Sequence, residues 1–332
     1  MLELITAPAD RGNPALVALF DQQELAEQVE LFFSAHWKLA APQEFQARVL
    51  KWHSEKRCTL EIALKDSYAS HYLIGKIYAE ERPDIHGYLE ELWRTGFDRN
   101  SKFSIPQPLT YVPSLRLLLE EKVQGLSVRE IFLGTDRPKQ MEAAERSALW
   151  LARFHDAAPK KGPVVTAKVQ GAQLERWMSR LTTLDDQLAQ KSKELFRRIE
   201  SELPKLGAME CLAGHSSYSP DHVLLRNDQT VTIDWDTYDV ADPARDVARF
   251  IVATERLALG HLRSIRALDW LANAFLKTYV AERGAEVLRR LPFYRAAMCL
   301  KLAKYCAFNH RVRRWEKRVA AMLEEGIRVL EY

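Results

Sequence analysis

The spacing of apolar positions changes several times along the chain, and each change predicts a different kind of element. In residues 21–37, DQQELAEQVELFFSAHW, Asp21 and Glu24 have capping-box spacing. Leu25, Val29, Phe32 and Phe33 then fall on one face, which predicts a helix. FQARVLKW (45–52) and CTLEIALKD (58–66) read as strands around a polar turn, HSEKR (53–57). In the second strand Leu60, Ile62 and Leu64 alternate with Thr59 and Glu61. HYLIGKIYA (71–79) follows too soon for a crossover helix, so these strands form a meander. Residues 83–96 predict a helix with Leu89, Leu92 and Trp93 on its apolar face and Gly96 at its end. Extended pieces are expected at 109–114 and 115–125.

After Gly125 the period becomes helical, through 141–157 and a charged amphipathic run at 175–203. Around 211 it switches to loop, short strand, turn and short strand, and from 242 to 332 it is helical again. The expected class is α+β, with an antiparallel-sheet lobe followed by a larger, mainly helical lobe. The expected divisions are an N-terminal helical extension (1–44), a lobe of sheet plus one helix (45–125), and a helical lobe (126–332) carrying a β hairpin within 211–236.

Composition narrows the functional classes. The 332 residues hold 48 Lys+Arg against 45 Asp+Glu, a net charge of +3. That balance, with no basic tail, argues against nucleic-acid binding. The 47% hydrophobic and 28% charged content is that of a globular protein. No long uncharged apolar run suggests a membrane span, and MLELITAPADRG lacks the basic-then-apolar order of a signal peptide. Cys58, Cys211, Cys299 and Cys306 show neither zinc nor disulfide spacing, so a reduced, cytoplasmic protein is expected. The spacing says nothing about oligomeric state.

Residues 215–246, HSSYSPDHVLLRNDQTVTIDWDTYDVADPARD, carry the candidate chemistry. A small polar loop leads into the strand Val223–Leu225. The turn Arg226–Gln229 returns the chain through Val231–Ile233 to Asp234. Such a hairpin brings the loop at 215–222 beside the carboxylates at 234 and 236. Carboxylates at the end of a buried strand must be paired or hold a cation, and oxygen ligands suit Mg²⁺. Gly214-His215-Ser216-Ser217-Tyr218 has part of a nucleophile-elbow pattern, but Pro220 and a strand follow where that motif needs a helix.

The segment resembles the aminoglycoside phosphotransferase/choline kinase family, which has a protein-kinase-like fold. The family runs H-G-D-x-x-P-x-N-V-L, then I-D-[WF]-[DE], then G-D-P-x-x-D. This chain runs His215-Ser216-Ser217, Pro220-Asp221-His222-Val223-Leu224, Ile233-Asp234-Trp235-Asp236 and Ala241-Asp242-Pro243-Ala244-Arg245-Asp246. The resemblance extends over about residues 45–320. Lys76 lies where the family's ATP-phosphate lysine belongs, and LLLEEKVQGLSVREIF (117–132) is similar to the link between its lobes.

The resemblance implies ATP and Mg²⁺ as cofactors and a small hydroxylated or amino-bearing acceptor, with no nucleic acid or membrane as partner. Lys76 would hold phosphates, with Glu90 or Glu91 as its helix carboxylate because the favoured register places Gly87 there. Asp234, with Asp236, would hold Mg²⁺. Lys56 and Arg57 would offer point charges from a turn that has no glycine. Two positions depart from the family. Its loop aspartate is Ser217, and its metal-binding asparagine is His222, an imidazole ill suited to Mg²⁺. Asp221 is a candidate substitute for the missing acid. Two readings remain open: a weakly active phosphotransferase, or a pseudokinase that binds a nucleotide or protein partner without phosphoryl transfer.

Overall fold

The computed structural model describes residues 27, 44–53, 56–65, 70–207, 210–309 and 312–331. The expected helix at 21–37 and nearly all of the expected extension at 1–44 lie outside the described residues. The architecture is α+β with two lobes, a small antiparallel sheet unit and a larger helical unit, which divide between Gln124 and Gly125.

The first unit is built on β1 (Glu44–His53), β2 (Arg57–Lys65) and β3 (Ser70–Tyr78). The helix Pro83–Arg94 follows, then the two-residue β4 (Phe103–Ser104), β5 (Pro108–Val112) and β6 (Leu117–Glu121). The sheet order is β1-β2-β3-β6-β5, antiparallel throughout. Alternation in β2 does what the sequence predicts: Cys58, Leu60, Ile62 and Leu64 are buried together with Leu73, Ile77, Leu117 and Leu119. The period of two sends Lys76 to the other face, opposite Leu118 of β6. The two extended pieces expected at 109–114 and 115–125 are β5 and β6, separated by a 3₁₀ turn at Pro113–Leu115, after which Arg116 takes a left-handed φ of 46°.

The second unit opens at Gly125, where a Cβ would sit 2.8 Å from the Leu225 carbonyl oxygen, so no larger residue fits. After the two-residue β7 (Leu126–Ser127), a capping box between Ser127 and Glu130 starts the short helix Val128–Phe132. The long helix Arg137–Ala157 follows. The helical run expected over 175–203 is two helices, Ala167–Leu181 and Asp186–Glu202. The break has a local cause. The hydroxyls of Thr182 and Thr183 bond back to Ser179 and Arg180 carbonyls, and the Asp185 carboxylate accepts from the Leu188 N–H at 3.0 Å, starting a new helix. The C-terminal part holds the helices Ala244–His261, Asp269–Arg283, Glu286–Phe308 and Trp315–Arg328. Among the described residues no helix is long and apolar enough to cross a membrane. The four cysteines are free.

Between these helices lies a nested β insert. Strand β8 (Leu212–Gly214) pairs with β11 (Asp239–Ala241). The hairpin of β9 (Val223–Arg226) and β10 (Gln229–Thr232) sits inside that pair in sequence. Closing both pairs forces the loops 215–222 and 233–238 side by side. Arg146 fastens the hairpin tip through the carbonyls of Asn227 (2.8 Å) and Gln229 (2.5 Å) and the Thr230 hydroxyl (3.2 Å).

Both loops are anchored on one aromatic stack. Trp150 stacks on Phe154 and Tyr218 with centroids at 5.3 and 5.6 Å, and meets Trp235 at 5.8 Å. His215 lies 4.6 Å from Trp235, and the Tyr218 hydroxyl donates to the Ser147 carbonyl at 2.7 Å. Trp150→Ala should therefore cost about 3–5 kcal/mol, against about 1 kcal/mol for Tyr218→Phe, which loses one buried hydrogen bond. Urea melts of both variants check this, and similar penalties would contradict the central place given to Trp150.

Candidate functional site

In the first unit Lys76 and Glu120 are buried on the sheet face opposite the main core, each 4% exposed at the side chain. Glu120 lies two residues from Leu118, the cross-strand neighbour of Lys76, so the two side chains share a face diagonally. Lys76 Nζ is 3.2 Å from Glu120 Oε1. Burying such a pair gains little stability, because the desolvation cost rivals the attraction. The strand alternation was legible in sequence, but this partner was not, since it needs β3 and β6 to be neighbours. Glu90, the expected helix carboxylate, is half-buried and pairs with Arg94 at 3.3 Å. Lys56 is exposed and Arg57 half-buried at the start of β2.

In the second unit the loop 215–222 is held by one carboxylate. Asp246, in the first turn of the helix Ala244–His261, accepts from the His215 N–H at 2.7 Å and the Ser216 N–H at 2.8 Å. Ser216 has a left-handed φ of 67°, stabilised where Arg245 Nη2 donates to its hydroxyl at 2.5 Å. Arg245 also pairs with Asp239 at 2.5 Å. Four residues upstream of Asp246, Asp242 accepts from the Ala244 N–H and meets Arg290 Nε at 2.6 Å. Burial works to raise the Asp246 carboxyl, but the His155 side chain, 3.6 Å away, with the neighbouring Arg245 charge, holds it down at about 2.

Ser217 is not isolated. Its hydroxyl lies 3.1 Å from His215 Nδ1, while His215 Nε2 lies 3.0 Å from the Ile233 carbonyl. A carbonyl only accepts, so Nε2 carries the proton and Nδ1 accepts from the serine. Burial, reinforced by the neighbouring His222, lowers His215 to about 4 and keeps the ring neutral at pH 7.

Asp234 sits at a left-handed φ of 68° just after β10, with Oδ2 3.3 Å from His222 Nε2. The Ile233 N–H donates to the His222 carbonyl at 2.9 Å, locking the loops together. Mg²⁺ is commonly bound through one or two carboxylates, with waters and phosphate oxygens completing its shell. Asp234, whose side chain is 22% exposed, and half-buried Asp236 fit that demand. Among the described residues no group of three or more His, Cys, Asp or Glu forms a cage, so phosphate oxygens would have to complete it. The His222 imidazole fits less well and faces the Asp234 carboxylate. Asp221, considered as a substitute acid, is exposed and turned to Arg129 Nε at 3.4 Å.

The model of the phosphotransferase enzyme family matches residues 71–293. The chain belongs to this family. No curated protein matches it at the sequence level. Among solved structures, a choline kinase from Cryptosporidium parvum superposes with a TM-score of 0.65 at 9% identity, covering 94% of this chain and 96% of that one. A choline/ethanolamine kinase family protein from Mesorhizobium loti gives 0.59 at 14% identity, covering 93% and 95%. An ADP-bound aminoglycoside phosphotransferase gives 0.57 at 16% identity, covering 91% and 95%. At these identities the likeness shows a shared protein-kinase-like fold. Membership of the phosphotransferase family points to phosphotransferase-type activity in general.

The Asp246 clamp carries a pH signature. Its carboxyl lies lower in the folded state than the usual value near 4, so its stabilisation is complete above pH 4 and fades as pH falls towards 2. Asp246→Asn should cost about 2 kcal/mol at pH 7 and progressively less as pH is lowered towards 2. Denaturant melts across that range check it. A penalty of the same size at pH 7 and pH 2 would mean the charge is not what holds the loop.

Proposed function

We propose that the protein is an ATP- and Mg²⁺-dependent phosphotransferase acting on a small hydroxylated or amino-bearing molecule, with Ser217 in place of the family's loop aspartate. The observation that carries this reading is the buried Lys76–Glu120 pair. A lysine held by a carboxylate inside a sheet is poorly explained by stability and well explained by a need for a fixed ammonium at a phosphate. Asp234, with Asp236, supplies the carboxylates for Mg²⁺, which when bound would neutralise charge on the transferred phosphoryl group. Phosphoryl transfer asks mostly for positioning and electrostatics, which these charged groups would supply.

The proton is handled differently from the family pattern. The acceptor hydroxyl would donate to Ser217 Oγ as Ser217 passes its own proton to His215 Nδ1. A histidine at about 4 is a weak base, so this relay is slow. The same observation favours the second reading, a nucleotide-binding pseudokinase, because Ser217 brings no carboxylate of its own.

Mg·ATP at 100 times its Kd should stabilise the protein by about 2.7 kcal/mol in a thermal-shift titration. Asp234→Asn should abolish the Mg²⁺-dependent part. No shift with ATP, with or without Mg²⁺, would remove both readings. Ser217→Asp should raise phosphoryl transfer by about 10²-fold or more if only the base is missing. A nucleotide-bound Ser217→Asp variant without turnover across sugars, amines and aminoglycosides would leave the pseudokinase.

A further inference from the structure

The helix Ala244–His261 carries Arg245, Arg249 and Arg256 at spacings of four and seven, which place them along one face. The helix Glu286–Phe308 packs against it and presents Lys301 and Tyr305 one turn apart. These five side chains are not equivalent. Arg245 is taken up by Asp239 and the Ser216 hydroxyl. Arg256 lies 5.5 Å from the Tyr305 ring centre. Lys301 Nζ donates to the Ser216 carbonyl at 3.3 Å and sits 5.7 Å from the Trp177 ring centre. Arg249 has Nε and Nη1 buried with no hydrogen-bond partner among the described residues.

Two cations therefore stand beside the loop that carries Ser217 without a carboxylate of their own. Burial and the like charge of Arg256 push Arg249 down to about 10. Burial and the like charges of Arg249 and Arg245 push Lys301 down to about 7. The nearby acids are committed elsewhere. Asp246 holds the amides of 215 and 216, Asp239 holds Arg245, and Asp221 is turned to Arg129. Buried positive charge in this state calls for an anion from outside the chain.

We infer that Arg249 and Lys301, with Arg256 behind them, bind an oxyanion on the phosphoryl acceptor, so the acceptor is a small hydroxylated molecule bearing a carboxylate or a phosphate. This rests on the phosphotransferase reading only for the word acceptor; the anion site stands on its own geometry. Arg249 leaves its Nε and Nη1 donors without partners among the described residues, and Lys301 adds a point charge beside the Ser216 carbonyl. The Trp177 and Tyr305 rings flank the cations and give the carbon skeleton a flat surface.

Isothermal titration of the full chain with glycerol 3-phosphate and glycerate, against glycerol and choline, tests this. Both anions should bind, and glycerol and choline should not; the stronger of the two anions tells phosphate from carboxylate. Arg249→Met and Lys301→Met should each weaken anion binding by about tenfold or more, equal to about 1.4 kcal/mol, while Mg·ATP binding stays unchanged. Without ligand, Arg249→Met should raise the melting temperature, because it removes an unpaired buried charge. Choline or glycerol binding as well as the anions, anion binding unmoved by both variants, or a lower melting temperature for Arg249→Met would each overturn the inference. Arg249-dependent anion binding without any Mg·ATP binding would keep the anion site and sink the phosphotransferase reading. Mg·ATP binding without anion binding would do the reverse.

Discussion

The second unit depends on one carboxylate meeting two amides. Asp246 is fixed by its place in the first helical turn after Pro243, and it accepts from the N–H groups of His215 and Ser216. A buried anion is costly, and this one is held by two short charge-assisted bonds and by the neighbouring His155. Fixing 215 and 216 fixes where Ser217 begins. The left-handed turn at Ser216, an unfavourable conformation for a residue with a Cβ, is retained because Asp246 and Arg245 grip it from two sides. The β8–β11 and β9–β10 pairings then bring Asp234 to the same place from the other end of the insert.

Much of this was legible in the sequence because local rules and the global fold agree. The alternation of β2 buries the residues it marks, and the hairpin predicted after Pro220 forms around a two-residue turn at Asn227 and Asp228. Asp242 and Asp246 stand at the D-P-x-x-D positions of the motif, and they hold the helix start and the loop amides. What the sequence concealed required knowledge of which elements are neighbours. Glu120 is unremarkable within LLLEE until β6 lies beside β3 and its period of two puts it on the face of Lys76. Glu90 had plausible helical spacing, yet Arg94 lies one turn away and claims it. The break at Thr182–Asp185 was hidden by the apolar period, which runs across it while side-chain bonds to the backbone end the helix.

The departures at 217 and 222 belong together physically. With Ser217 and His222 at these positions, Asp234 faces an imidazole and His215 faces a hydroxyl. Each change lowers the negative charge near the loop or adds a group able to become positive. Across the same loop, Arg249 and Lys301 go without carboxylates. A site whose acceptor were a polycation would need acids at these places. Here the surplus of positive charge favours a ligand that brings its own negative charge.

That surplus also bears on the proton. A neutral His215 at about 4 takes a proton from Ser217 poorly while it stands alone. An oxyanion seated between Arg249 and Lys301 would offset the cationic field around the loop and make a positive charge on His215 less costly. Binding of the acceptor would thus raise the basicity of the relay that its own hydroxyl needs. In the proposed phosphotransferase reading, a loop with Ser217 instead of an acid and two cations without carboxylates of their own form one arrangement, in which the substrate would supply part of the negative charge the site needs.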